Sequence, residues 1–513
     1  MSSSSHSSSS SYYNSSASSS TSSQLSDNTH ATSILEGHVP PEVPLAVFDK
    51  IIFGTGPLQL DQLADKLSER YATFARDVAE STNTVSDLMH MLNGISKLYQ
   101  EHYGLASNQR VEFVEHSHAP LLHHPRKSTS MRPPLIAVSS RVAHSYRSCR
   151  PEDSESNAIA WHHVLAAVYT NGSAEDCHPI DRCASFLGAL NQARPDMPGS
   201  LALTTTRRAS CFLWSDAADV YSSHPTAWAD STTLAYLLRF VHRLYEPLAV
   251  DGTVKLDRPS YDLAGVSRAE PPQHCREPVW LVGDDKGVEY RIAAVLDVGR
   301  PWTHRNWVAV STQCRAPGVE DFVDCPRKVV KDCWSKITSE DIAESAILEH
   351  IHADGDFPGV CRVLSSFLVP GHEGAEGLQS VRFPDLRVEG RRKHRMVLDG
   401  AGKDLYTCAS ILEFLMVMYD VIEVLRRLHE HRGVLHRDIS IRNVLLAPDN
   451  AGGQGDSKTI RDILAYKYPA VRAEQGPRCV LIDFDNAFWK GKMSDSSLQS
   501  AVVRRCRSVR GAG

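Results

Sequence analysis

A chain of 513 residues with 42% hydrophobic content and a formal net charge of −6 is long enough for two or three domains with real cores, and its acidic balance argues against general nucleic-acid binding. Its 12 cysteines are scattered without C-x-x-C pairs or zinc spacing, so they read as reduced thiols of an intracellular protein, cytoplasmic or nuclear, rather than as a disulfide or zinc framework. No apolar run is long enough to span a membrane.

Residues 1–38 are dominated by Ser. They lack the charged start and apolar centre of a signal peptide and predict a disordered, solvated tail. From Pro40 the chain turns globular. Leu60, Leu63, Leu67, Tyr71, Phe74 and Val78 form one helical stripe, and Val85, Leu88, Leu92, Ile95 and Tyr99 a second, capped by Asn83 or Thr84. These predict a mainly helical N-terminal module over 40–104. Residues 105–155 are rich in Ser, His, Pro and Arg and predict a linker. Its His116, His118, His123 and His124 lack the nearby Cys or acid that would complete a metal site. Further on, Ala158–Val168 and Leu201–Tyr221 suggest mixed strand and helix, and Leu234–Tyr245 an amphipathic helix. No E-x-K step points to nuclease chemistry there, so this region reads as regulatory or scaffolding.

Val329-Val330-Lys331-Asp332-Cys333-Trp334 predicts a strand from which Lys331 emerges as a point charge. Thr338 or Ser339 can cap the following helix, with Glu340 and Asp341 in its first turn. Ala343, Ile347 and Ile351 line one face of that helix, and Glu344 stands beside it. Gly359-Val360 and Val363-Leu364 suit a strand, as does Met396-Val397-Leu398, with Gly400 and Gly402 in the turn after it. Gly400–Lys403 reads G-A-G-K, but the upstream Gly and the following Ser/Thr of a P-loop are missing. Ile411, Leu415, Met418, Ile422, Leu425 and Leu428 recur at helical spacing and predict a core-facing stripe, with Gly433 closing the helix.

The most informative segment follows: His436-Arg437-Asp438-Ile439-Ser440-Ile441-Arg442-Asn443, which reads H-R-D-x-x-x-x-N, and then Cys479-Val480-Leu481-Ile482-Asp483-Phe484-Asp485. Phosphoryl transfer is mostly positioning and charge neutralisation. Asp438 is the carboxylate to orient an acceptor hydroxyl. Asn443 and Asp483 offer the oxygen ligands that Mg²⁺ prefers. Val444–Leu446 and Cys479–Ile482 read as short buried strands that pin the loop. His436 is placed to hold it by packing and hydrogen bonding, and Arg437 to pair with an anion. The stretch 447–478 between them is long for a hairpin connection, glycine-rich at its start, with Ile460, Ile463, Leu464 and Tyr468 suggesting a short helix.

Over about its last third the chain resembles the protein kinase superfamily, and more narrowly the fungal-type protein kinases, in which H-R-D-I-S-x-x-N-(I/V)-L and L-I-D-F-D-x-A recur; they stand here as His436–Leu445 and Leu481–Ala487. The resemblance implies an α+β, kinase-like bilobal fold over 156–513, with an N-lobe core at about 280–398 and a C-lobe at about 399–513. It implies ATP and Mg²⁺ as cofactors and a protein as substrate, with Lys331 paired to Glu344 on the α/β-phosphates and Met396 and Leu398 running into the nucleotide hinge. Arg442, four residues after Asp438, is placed to neutralise γ-phosphate charge where Ser440 replaces the usual Lys. Three departures stand out. No G-x-G-x-x-G precedes Lys331, where only Val298-Gly299-Arg300 offers a flexible phosphate cover. Asp485 replaces the Gly of D-F-G. No A-P-E follows, so the C-lobe reads as incomplete, with a basic end at Val502–Arg507. The leading expectation is transfer of the ATP γ-phosphate to Ser/Thr hydroxyls. The alternatives are an inactive pseudokinase scaffold and a small-molecule phosphotransferase of the aminoglycoside or choline kinase sort. Nothing in the sequence sets the oligomeric state.

Overall fold

The computed structural model describes residues 40–54, 60–80, 84–126, 131–149, 158–170, 179–257, 272–302, 305–337, 343–371, 376–399, 402–447, 466 and 477–491. The Ser-rich tail, Asn83, the cap and first turn expected at 338–341, Gly400, the helix expected at Ile460, Ile463, Leu464 and Tyr468, and the basic end at 502–507 lie outside these residues.

The first unit opens with β1 (Glu42–Val43), α1 (Leu45–Phe48), α2 (Leu60–Glu80) and α3 (Thr84–His102). It continues through β2 (Val111–Glu115), β3 (Leu135–Ser139), α4 (Ser140–Arg147), β4 (Ala166–Thr170) and α5 (Pro179–Ala193). It closes with β5 (Gly199–Thr205), β6 (Ala209–Asp216), β7 (Val220–Ser223), β8 (Thr226–Ala227) and α6 (Thr232–Tyr245). The strands form one sheet in the order β1-β7-β6-β5-β4-β3-β2, with β8 on β6. Side-chain alternation along a strand sends successive residues to opposite faces. Leu201 and Leu203 accordingly join a core with α2, α3 and α6, while Ala202 faces the core that holds α4 and α5. The result is a three-layer unit with helices on both faces.

This arrangement corrects two expectations. The two N-terminal stripes are indeed buried, from Leu60 to Phe74 and from Leu88 to Tyr99, but they share their core with the sheet, so 40–104 is one layer of a larger unit and not a helical module of its own. Nor is 105–155 a linker: β2 and β3 pair with each other, and β3 pairs with β4 across the boundary expected at 156. The Ser, His, Pro and Arg around them set the average composition and hid two short buried runs, Val111–Val114 and Leu135–Val138, each of which is buried on both faces.

The second sheet is antiparallel throughout. It comprises β9 (Val254–Leu256), β10 (Trp280–Gly283), β11 (Glu289–Val298), β12 (Trp307–Arg315), β13 (Val323–Lys336), β14 (Arg362–Leu368) and β15 (Arg391–Asp399), with α7 (Glu344–Ile351) between β13 and β14 in sequence. Its order is β14-β15-β13-β12-β11-β10-β9. A buried charge network ties it to the first unit and its exit. Arg395 grips Asp332 with two bonds of 2.6 and 2.8 Å and reaches Asp251 at 3.0 Å. Lys393 bonds Asp251 at 2.6 Å and the Pro195 carbonyl at 2.8 Å. Two cations and two anions balance, which is what permits four charges at almost complete burial.

The remainder holds the short β16 (Lys403–Asp404), α8 (Ile411–Arg427), β17 (Val434–Leu435), β18 (Val444–Leu446), β19 (Cys479–Leu481) and β20 (Phe488–Trp489). Ser410 caps α8 by accepting from Glu413 N at 3.1 Å. The stripe expected to face the core does not: Ile411, Leu415 and Ile422 are 81%, 57% and 65% exposed. Val417, Val421 and Val424 are buried instead, in line with Leu428, the one fully buried member of the expected stripe. Both sets repeat at i, i+4, i+7 and i+11, so on a helix apolar nearly all round the period alone cannot choose a face. After α8 one π-helical turn runs to Arg432, and Gly433, at φ 63°, reverses the chain into β17. The ends of the long stretch 447–478 are joined: Ala447 N donates to Arg478 O at 2.8 Å, and Arg478 N to the buried Asp420 carboxylate of α8 at 2.9 Å.

Candidate active site

β13 carries Lys331 inward beside Met396, its direct partner on β15. Met396 and Leu398, 1% and 6% exposed, share the core under this face. The Lys331 ammonium is buried and bonds three carboxylates: Glu344 Oε2 at 2.6 Å, Asp483 Oδ1 at 2.8 Å and Asp485 Oδ2 at 3.1 Å. The pairing with Glu344 is the one anticipated from sequence; the contact to Asp485 is not. Glu344 opens α7, and its second oxygen accepts the Phe484 N–H at 2.9 Å. One carboxylate thus ties the lysine strand to the D-F-D turn.

One ammonium faces three acids, so the cluster has an excess of negative charge. Burial lifts the Glu344 carboxyl to about 7 against the pull of Lys331. Burial lowers the affinity of Lys331 for its proton, but Glu344, Asp485 and Asp483 outweigh it and hold the ammonium well above its ordinary value. Burial likewise opposes ionisation of Asp485, yet Lys331 keeps it below the usual carboxylate range. The most enclosed acid, Glu344, holds its proton most tightly, and Asp485 stays available as an anion.

The H-R-D loop is built on the same strand end. Ile482 N donates to Asn443 O at 3.1 Å, and Ile482 O pairs with His436 Nε2 at 2.9 Å. His436 Nδ1 accepts from Asp438 N at 3.4 Å, so Nε2 carries the proton and donates. Burial lowers the His436 pKa and keeps the ring neutral for both bonds. The ring lies 4.4 Å from that of the fully buried Phe484. Asn443 Nδ2 donates to Asp438 O at 2.9 Å, which closes the loop between them. Arg437 and Asp483 adopt φ of 61° and 66°. Strained backbone at both positions is tolerated because the surrounding bonds over-determine it.

Asp438 Oδ2 accepts from Asn486 Nδ2 at 3.2 Å. Asn486 was not anticipated; it follows D-F-D directly, and no spacing rule singles it out. Arg437 Nε donates to Asn486 O at 2.8 Å, and its guanidinium lies over Phe488. Arg442 is exposed, and its backbone N–H bonds Ser440 Oγ at 3.2 Å. Of the four clustered histidines of 116–124, His123 and His124 turn to the carbonyls of Cys275 and Ala189, while the rings of His116 and His118 stay 5.9 Å apart.

Oxygen donors from Asp483, Asp485 and Glu344 lie within 4.8 Å of one another. Hard carboxylate oxygens around a local excess of negative charge fit Mg²⁺. A buried lysine held by a helix carboxylate stands with an acid turn and an H-R-D-x-x-x-x-N loop bonded to one strand end, which is the set of groups that phosphoryl transfer calls for. The family model of the fungal protein kinase matches residues 371–505, and over these residues the chain is similar to that family. The match includes Asp438, Asn443 and Asp483, while Lys331 and Glu344 lie upstream of it. No curated protein matches the chain.

Proposed function

We propose that the chain is an ATP-dependent protein kinase that transfers the γ-phosphate to Ser/Thr hydroxyls of proteins. The observation that carries this reading is the Lys331 ammonium, bonded at once to Glu344 and Asp483, while the Asp438–Asn443 loop hangs from the neighbouring Ile482. Lys331 would hold the α/β-phosphates, with Glu344 fixing its position. Asp438 would orient the acceptor hydroxyl and take its proton, its carboxylate aligned by Asn486. Asp483, Asp485 and Asn443 Oδ1 would hold Mg²⁺; Asn443 donates its Nδ2 to Asp438 O, which leaves Oδ1 to offer. Mg²⁺, when bound, supplies neutralisation of the phosphate charge. Met396 and Leu398 would form the apolar approach to the hinge.

The test is transfer from γ-labelled ATP to a Ser/Thr peptide library, an aminoglycoside and an amino-alcohol, with wild type, Asp438→Asn and Asp483→Asn. Labelled peptide from wild type alone supports the reading. Label on the small molecules and none on peptides, or undiminished transfer by Asp438→Asn, overturns it.

A further inference from the structure

The β11–β12 turn, described at 299–302 and 305–306, leaves the second sheet at the end where Lys331 stands: Val308 pairs with Lys331 and Trp307 with Asp332. On the kinase reading this is where nucleotide phosphates are covered. A covering loop works through backbone N–H groups, and glycines usually let that backbone approach. Here the turn has one glycine, then Arg300, Pro301 and Trp302. Its described residues are tethered at Val298 and Gly299, where the sequence suggested a flexible cover.

The turn is instead held by the first unit. Arg126 donates to Val298 O through Nη2 at 2.7 Å and Nε at 3.2 Å. Gln192 of α5 donates to Gly299 O at 2.6 Å. Trp302 Nε1 reaches Ser215 Oγ of β6 at 2.9 Å. The Arg305 guanidinium, almost fully buried, bonds the carbonyls of Asn191, Pro198 and Met197 at 2.6, 2.7 and 2.8 Å. Within the turn, Gly299 N donates to Asn306 O at 2.7 Å. In a trans peptide the N–H points opposite to the C=O. Fixing the Gly299 carbonyl on Gln192 therefore fixes the Arg300 N–H on the side away from the first unit.

We propose that the N-terminal three-layer unit is an intramolecular brace for the phosphate-covering turn, with Arg126 and Gln192 as positioning residues for nucleotide binding. This rests on the kinase reading. The brace supplies by docking the order that glycine-rich sequence does not encode, so less freedom is lost when a nucleotide binds. Neither residue touches the nucleotide.

The experiment measures KM for ATP–Mg²⁺, kcat and the thermal midpoint for wild type, Arg126→Ala, Arg126→Lys and Gln192→Ala, together with amide exchange at Gly299 and Asn306. Each alanine variant is expected to raise KM about five-fold, the worth of one lost hydrogen bond, with kcat little changed and exchange at Gly299 faster. Arg126→Lys, which keeps a donor for Val298 O, restores KM in part. A lowered midpoint with unchanged KM would mean that these bonds only hold the fold together, and overturns the proposal. If wild type itself binds no ATP, the kinase reading falls and the brace with it. If wild type binds and both alanine variants bind equally well, the brace alone falls.

Discussion

Replacing Lys331 by Met tests the charge balance of the site and its chemistry together. The ammonium is buried, and Met matches its length without the charge. Of its three partners, Asp483 and Asp485 are each 37% exposed, so water takes over much of their neutralisation and they are discounted. Glu344 is 2% exposed and has no such relief. Its carboxyl already sits at about 7 in the fold, above the ordinary 4.5, so rising pH costs the wild-type fold between those values and no further above 7. Without Lys331 the folded pKa moves higher still, and the cost continues to grow above pH 7. One pKa unit corresponds to about 1.4 kcal/mol, so the penalty of Lys331→Met should be about 2 kcal/mol larger at pH 8.5 than at pH 6. Urea denaturation of wild type and variant at both pH values measures this difference, from which titrations common to both chains cancel. Adding Glu344→Gln should abolish the pH increment, and phosphoryl transfer should be lost at either pH. A penalty equal at the two pH values would falsify the account of Glu344 as the uncompensated acid.

Asp438→Asn should abolish peptide phosphorylation while shifting stability by less than about 0.5 kcal/mol, since its carboxylate accepts one exposed bond from Asn486; a large drop in the denaturation midpoint would show a structural role instead. Gly359 has φ +84°, and a Cβ there would lie 2.5 Å from Val424 Cγ2 of α8. Gly359→Ala should cost about 2–4 kcal/mol through the left-handed backbone and the overlap, and a variant as stable as wild type by calorimetry contradicts that packing. His116 and His124 are buried, and burial pushes each down to about 4. They stay neutral in the fold while the unfolded chain takes up protons near 6.5, so stability is level above that pH and declines below it, by about 2 kcal/mol per residue at pH 5. Equilibrium denaturation of wild type and His116→Gln at pH 7.5 and 5 measures this, and parallel losses in the two chains would remove His116 from the explanation.

Those parts of the site in which chemistry and chain spacing coincide were legible from sequence. His436, Asp438 and Asn443 sit on one short loop, and Asp483 follows the strand β19, which pairs with β18 just after that loop. Lys331 and Glu344 were also legible, because a lysine leaving a β-branched run and an acid beside the apolar face of the next helix meet by local geometry, although that helix was expected to start earlier than Glu344. What the residues did not disclose depends on tertiary surroundings. The bond from Asp485 to Lys331 needs the turn conformation at Asp483, and the Asn486–Asp438 contact needs β20 paired to β17. The face of α8 was misjudged because its two apolar stripes are equally periodic. The first sheet stayed hidden for a different reason. β2 and β3 are each five residues long and stand among polar residues, and only their partners, brought from far along the chain, make them strands.

The seam between Ala447 and Arg478 makes the two halves of the site indifferent to what is spliced between them. Asn443 and Asp483 are held by β18 against β19 and by Ile482, and the insertion begins and ends on the far side of that zipper. The entropy of closing a loop grows only slowly with its length, so a change in the length of chain between Ala447 and Arg478 costs this junction little. That window is the natural place to graft a reporter or an affinity handle onto this protein while its chemistry is being measured.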